Sequence, residues 1–136
     1  MIHIEEITKE YPTKTLFASA SAHLRPETRV GLVGRNGTGK TTLLRMIIGE
    51  DTADDGSIRQ RPWLRIGYLP QELATPTKFT VLQAAHRDEY PEHEAKRILS
   101  GLGFEEGDWN RKLETFSGGY RMRVALGYLL LSNPDV

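Results

Sequence analysis

The stretch Gly34-Arg35-Asn36-Gly37-Thr38-Gly39-Lys40-Thr41-Thr42 fits the pattern G-x-x-x-x-G-K-[ST], with Gly34, Gly39, Lys40 and Thr41 at the fixed positions. Immediately before it, Val30-Gly31-Leu32-Val33 is a short apolar run, as expected of a strand buried on both faces of a parallel sheet. After it, Leu43, Met46 and Ile47 fall at i, i+3 and i+4, one face of a helix over 41–48, and Gly49 stands where a C-cap glycine belongs. Strand, loop and helix in this order are the setting in which such a loop wraps phosphate. Glycines let the backbone take positive φ and turn its N–H groups inward. The helix start adds partial positive charge, Lys40 would reach the β and γ phosphates, and Thr41 would ligate magnesium. The loop therefore predicts a bound nucleoside triphosphate.

Composition frames this reading. The chain has 136 residues, enough for one domain or part of one. Its 18 basic and 18 acidic side chains cancel, so no bulk charge marks a nucleic-acid or membrane surface. Without cysteine there is no disulfide framework and no zinc–thiolate site, which is compatible with a reducing cytosol, and a cytoplasmic location is expected. The longest apolar run is far short of the roughly 20 residues of a membrane span, and Met1-Ile-His-Ile-Glu-Glu6 is no signal peptide. No direct insertion into a membrane is expected.

Residues 1–33 read as strands. Ile2 and Ile4 alternate with His3 and Glu5, the stretch 16–24 is a second candidate, and Arg25-Pro-Glu-Thr28 is a turn. A polar turn over 51–56 precedes two short strand candidates, around 57–59 and 65–69. Residues 71–136 read as mainly helical. Pro91 suits the first turn of a helix carrying Ala95, Ile98, Leu99 and Leu102, and Met122, Ala125, Leu126, Leu129 and Leu130 make a second stripe. Both stripes are ordinary core-facing patterns.

The segment Phe116-Ser117-Gly118-Gly119-Tyr120-Arg-Met-Arg-Val-Ala-Leu126 resembles the signature sequence of ATP-binding cassette (ABC) proteins, L-S-G-G-Q followed by R-x-x-[LIV]-A. Ser-Gly-Gly alone also fits an ordinary capped helix; here it follows the phosphate loop in the family's order. Ser117 as N-cap with two glycines behind it would expose several backbone N–H groups. In the family this element meets the γ-phosphate held by a second cassette, so that two cassettes sandwich two nucleotides. Tyr11, by itself a strand-edge tyrosine, lies 23 positions before Gly34, where the family places an aromatic that stacks on adenine. Gln71, by itself a loop glutamine, closes Ile66-Gly-Tyr-Leu-Pro-Gln71 and matches the Q-loop residue whose carbonyl reaches magnesium and an attacking water.

The resemblance covers essentially the whole chain. It implies an α/β fold: the P-loop NTPase core of an ABC nucleotide-binding domain, with an antiparallel β subdomain and a helical subdomain, incomplete at the C-terminal end. The implied division is 1–70 for the β-rich and P-loop core, 71–116 for the Q-loop and helical subdomain, and 117–136 for the signature helix. The cofactors implied are ATP and Mg2+. The implied ATP contacts are Tyr11, Gly34, Arg35, Asn36, Gly37, Thr38, Gly39, Lys40, Thr41, Thr42, Gln71, Ser117, Gly118 and Gly119, with Thr41 and Gln71 toward the metal.

The wording of the loop and signature, with Ala95-Lys-Arg-Ile-Leu-Ser-Gly-Leu-Gly-Phe104, looks like the first cassette of the ABC-F class. These are soluble two-cassette ATPases acting on the ribosome. The alternative is a cassette that energises a membrane transporter. A GTPase would show Asn-Lys-x-Asp, which is absent, and a small-molecule kinase has no use for Ser117-Gly118-Gly119.

Three departures matter. Tyr120 replaces the usual Gln, Glu or Trp. The stretch between Gln71 and Ser117 has no room for the long helical arm usual in first cassettes of the class. Ser132-Asn-Pro-Asp135 normally leads into a strand ending in Asp-Glu and later a switch histidine, whereas the sequence given stops at Val136. His3, His23, His86 and His93 precede the signature and read as surface or edge histidines. The expectations are nucleotide binding with negligible turnover, no catalytic residue within these positions beyond an auxiliary Gln71, and self-association through an unpaired sheet edge at Val30–Val33.

Overall fold

The computed structural model describes residues 2–72, 78–86 and 88–136. The chain divides into two compact units, Met1–Leu64 and Arg65–Val136. Part of the expected Q-loop and helical block, residues 73–77 and Arg87, lies outside the described residues.

The first unit holds β1 (Ile2–Tyr11), β2 (Lys14–Leu24), α1 (Lys40–Ile48) and β3 (Asp55–Gln60). The strands form one antiparallel sheet in the order β2-β1-β3. Ile2 and Ile4 are buried as the alternation predicts, but the phase then changes. The β1 register shifts between Ile4 and Ile7, where Glu6 takes φ 47° and its N–H donates to Ser21 Oγ at 2.9 Å. One extra residue in a strand flips the faces that follow it, so Ile7 and Lys9 join Ile2 and Ile4 on the buried side. Gly56, at φ 81°, lies against this bulge: a Cβ there would stand 2.5 Å from the carbonyl oxygens of Glu5 and Glu6.

Lys9 is the buried charge among the described residues of this unit. Its Nζ donates to Asp51 Oδ1 (3.0 Å), to Thr52 O (2.7 Å) and, more weakly, to Asp54 Oδ1 (3.5 Å). The expected polar turn over 51–56 is thus a socket for an ammonium, and β3 already begins at Asp55. The hydrogen bond from Lys9, with a second from Thr52 N–H, holds the Asp51 carboxyl below the usual carboxylate range. The bond to Asp51 likewise raises Lys9 above the usual ammonium range.

Two expected strands do not form. Val30–Val33 is not a strand, and Val30, Leu32 and Val33 are 65%, 47% and 94% exposed. An apolar run becomes a strand only when a neighbour supplies its ladder, and no described residue does so here. Arg65–Leu69 is not a strand either, although Val136 N–H donates to Arg65 O (3.3 Å) and Gly67 N–H to Val136 O (2.7 Å). That exchange is the start of a parallel pairing confined to one position.

The second unit is helical: α2 (Val81–Ala85), α3 (Glu92–Gly101), α4 (Gly118–Leu131) and 3₁₀ turns at Glu106–Asp108 and Leu113–Thr115. Its core is Val81, Ala84, Ala85, Leu99, Phe104, Leu113 and Val124. Thr80 and Gln83 close a capping box on α2. Pro91 stands at the N-cap of α3 rather than inside its first turn. The buried face of α4 is Val124, Gly127 and Leu131, not the expected stripe; Leu130 is 40% exposed. This helix is apolar almost all round, so periodicity does not select a face, and close packing does. A Cβ on Gly127 would lie 3.3 Å from Leu102 Cδ1 and 3.6 Å from Leu99 Cδ2, so the glycine is where α3 approaches. No helix among the described residues is long and apolar enough to cross a membrane.

Candidate nucleotide-binding site

The loop Gly34–Thr42 runs from the unpaired segment into α1. Gly37 and Gly39 take φ 76° and 98°, conformations that turn successive N–H groups toward a common point and that only glycine adopts without strain. Space enforces Gly39 as well, since a Cβ there would lie 2.9 Å from Phe17 Cζ and 3.3 Å from Leu16 Cδ1. A Cβ on Gly34 would meet Thr38 Oγ1 at 2.9 Å, while Gly37 has open space. Thr38 Oγ1 donates to Arg35 O at 2.8 Å and fastens the crest. The helix starts at Lys40 with Leu43 N–H bonded to Gly39 O (2.8 Å), so the N–H groups of its first turn have no intrahelical acceptor. Thr41 is exposed and Thr42 half-buried at that end. Gly49 caps the other end in the left-handed region, as expected.

Lys40 folds back over the loop. Its Nζ donates to Gly34 O and to Arg35 O, each at 2.8 Å, using two of three donors and leaving one for an incoming anion. Arg35 and Asn36 are exposed at the crest. Tyr11 ends β1, 47% exposed, with Lys9 Nζ 5.8 Å from its ring centroid. Two contributors escaped the sequence reading. Lys14 Nζ donates to Gly37 O at 2.5 Å, and Leu16 with Phe17 flanks Gly39. The signal available was a pair of strand-like runs separated only by Pro12-Thr13, which defines a tight hairpin beside the loop.

The other named residues lie in the second unit. Gln71 is exposed. Ser117 is the N-cap of α4 as expected, but its hydroxyl makes no capping bond, and Ser117, Gly118 and Gly119 are exposed. Tyr120 packs in an aromatic group with Phe104 (5.6 Å between centroids) and Phe116 (5.8 Å), and Arg123 lies 4.8 Å over its ring. The substitution at this position therefore has a packing role at the base of the helix start.

A loop with two left-handed glycines, a lysine over its carbonyls and an open helix N-terminus belongs to the P-loop class of nucleotide-binding folds. Residues 17–136 match the family model described as ABC transporter, so this chain belongs to the ABC family, and the relatives it resembles include members of the ABC-F type. It is similar to the ribosome protection protein VmlR of Bacillus subtilis, 31% identical over 137 aligned positions, covering 99% of this chain and 25% of that protein. It is 28% identical to the ABC transporter F family member 2 of Arabidopsis thaliana over 183 positions, covering 99% of this chain and 27% of that protein. Its fold matches the dimeric bacterial ABC transporter cassette MJ0796 with a TM-score of 0.81 at 22% identity, covering 98% of this chain and 71% of that one. The chain spans about a quarter of the length of these curated relatives.

Proposed function

We propose that this chain is the ATP-binding module of an ABC-F-type ATPase whose complete protein acts on the ribosome from the cytoplasm. The observation that carries the proposal is the preorganised loop, in which Gly37, Gly39 and the start of α1 present N–H groups and Lys40 has a donor to spare. These are the parts a triphosphate needs: backbone dipoles around the β-phosphate and an ammonium that follows the γ-phosphate. A bound magnesium ion would neutralise charge between those phosphates, and the Thr41 hydroxyl, exposed at the helix start, suits its preference for oxygen ligands. Tyr11 offers a partly exposed ring to the base. Ser117, Gly118 and Gly119, exposed at the start of α4, are suited to meet a nucleotide held by a second cassette.

Support for the ribosomal role is that VmlR is named for ribosome protection. The alignment with VmlR needs no large insertion, unlike that with the Arabidopsis protein, so a short stretch between Gln71 and Ser117 does not set this chain apart from a ribosome-directed relative. The second reading, a cassette energising a membrane transporter, is favoured by the transporter cassette of like fold. Nucleotide-dependent co-sedimentation of the chain with ribosomes, against lipid vesicles carrying permease, separates the two. Pelleting with vesicles alone contradicts the ribosomal reading.

For the 136 residues by themselves the proposal is binding without efficient hydrolysis, because the acidic pair that the family uses to hold the metal and polarise water is not among them. Phosphate release well above that of Lys40→Ala contradicts this. The run Val30–Val33 belongs to no strand, and it is its exposed apolar side chains through which two copies would associate.

A further inference from the structure

Tyr11 and Lys14 are cross-strand partners at the tip of the β1–β2 hairpin. From that tip Lys14 reaches the crest of the phosphate loop, donating to Gly37 O at 2.5 Å. Gly37 takes φ 76°, and a Cβ there would meet nothing within 4 Å. A few residues along the same hairpin, Leu16 and Phe17 pack against Gly39. The hairpin therefore touches the loop twice, by an apolar contact at its base and by one charged hydrogen bond at its crest.

We propose that Lys14 is a positioning residue that ties the hairpin bearing Tyr11 to the crest of the phosphate loop, so that contact with the base and the hold on the phosphates form together. The proposal rests on the ATP-binding reading above and adds a coupling to it. The crest itself is fastened by Thr38, so what an absent tether leaves to be ordered is the hairpin tip, and that ordering weakens binding only of a ligand whose base Tyr11 contacts. With the tether in place, the ring of Tyr11 and the N–H groups of the loop are already set at a fixed spacing. A direct phosphate contact by Lys14 is a different arrangement, and a ligand without a base distinguishes the two.

The experiment is a calorimetric titration of the chain with magnesium ATP and, separately, with magnesium tripolyphosphate. The proteins compared are the parent, Lys14→Met, Lys14→Arg, Tyr11→Ala and the Lys14→Met/Tyr11→Ala pair. The expected result is that Lys14→Met weakens ATP binding about five- to tenfold and changes tripolyphosphate binding by less than about twofold. Lys14→Arg restores most of the ATP affinity, and the double variant is no weaker than the weaker single one, since both remove one coupled contribution. Equal loss toward tripolyphosphate, losses that multiply in the double variant, or an unchanged ATP affinity in Lys14→Met would each overturn the proposal. A parent chain that binds neither ligand contradicts the ATP-binding reading itself and the coupling with it.

Discussion

Gly56→Ala tests whether the bulge at Glu6 is built on a glycine. Gly56 has φ 81°, and Gly49 has nearly the same φ, 80°, with nothing within 4 Å of an added Cβ. Alanine at either site carries the left-handed penalty, about 1–2 kcal/mol. At Gly56 the methyl would also lie 2.5 Å from Glu5 O and Glu6 O and 2.6 Å from Glu6 C, all backbone atoms that no rotamer change can move. Contacts under 3.0 Å require a shift, here roughly half an ångström, which strains the β1–β3 ladder where its register already slips between Glu5 and Thr8. Losing one or two of those hydrogen bonds adds about 0.5–1.5 kcal/mol each. Gly56→Ala should therefore cost about 2–4 kcal/mol and Gly49→Ala about 1–2 kcal/mol. Urea unfolding followed by circular dichroism reads both at unchanged m-value. Equal destabilisation by the two variants would refute the claim that the bulge carbonyls exclude a side chain at Gly56.

Four other outcomes follow from the same structure. Asp51→Asn should remove a pH-dependent part of stability. The Asp51 pKa is lowered, so its contribution is complete above the ordinary carboxylate pKa and is lost as pH falls through the lowered value. The gap between parent and variant in urea midpoint should be flat near neutrality and close below about pH 4; a gap that persists undiminished at pH 2 contradicts it. Leu99→Ala, at a fully buried position in the helical core, should cost about 2–5 kcal/mol, and a loss under 1 kcal/mol by thermal melt would mean the site collapses freely. Val33→Lys, at the most exposed large apolar residue among the described residues, should abolish concentration-dependent association in sedimentation equilibrium, whereas a parent that stays monomeric at every concentration contradicts association through this run. Tyr120→Ala should lower stability by about 1–3 kcal/mol through loss of its ring contacts with Phe104 and Phe116; unchanged urea unfolding contradicts a packing role.

The loop and its helix were legible because a phosphate-wrapping turn needs glycine and lysine at fixed spacing, and spacing is what a sequence displays. The left-handed angles at Gly37, Gly39 and Gly49 fall where the pattern places them. The first half of β1 was legible by alternation, but the bulge was not, since Glu6 in the left-handed region leaves no mark in the sequence. The roles of Lys9 and Lys14 are not legible in the sequence for a related reason. A single lysine in a strand reads as a solvated side chain until the fold brings Asp51 or the carbonyl of Gly37 to it. Thr80-x-x-Gln83 was a readable capping box for α2. The face of α4 was not readable, because an almost uniformly apolar helix has no phase, and the choice fell to Gly127, where Leu99 and Leu102 come close. Val30–Val33 has the composition of a buried strand, yet strand formation depends on a neighbour as well as on composition.

Calorimetric titration of the parent chain and of Lys40→Ala with magnesium ATP tests the central claim most directly. Lys40 already sits over Gly34 O and Arg35 O with one donor to spare, so the parent should bind and Lys40→Ala should bind at least about tenfold more weakly. Equal affinity in the two proteins, or no heat of binding from either, would contradict the assignment of this loop as a preformed triphosphate site.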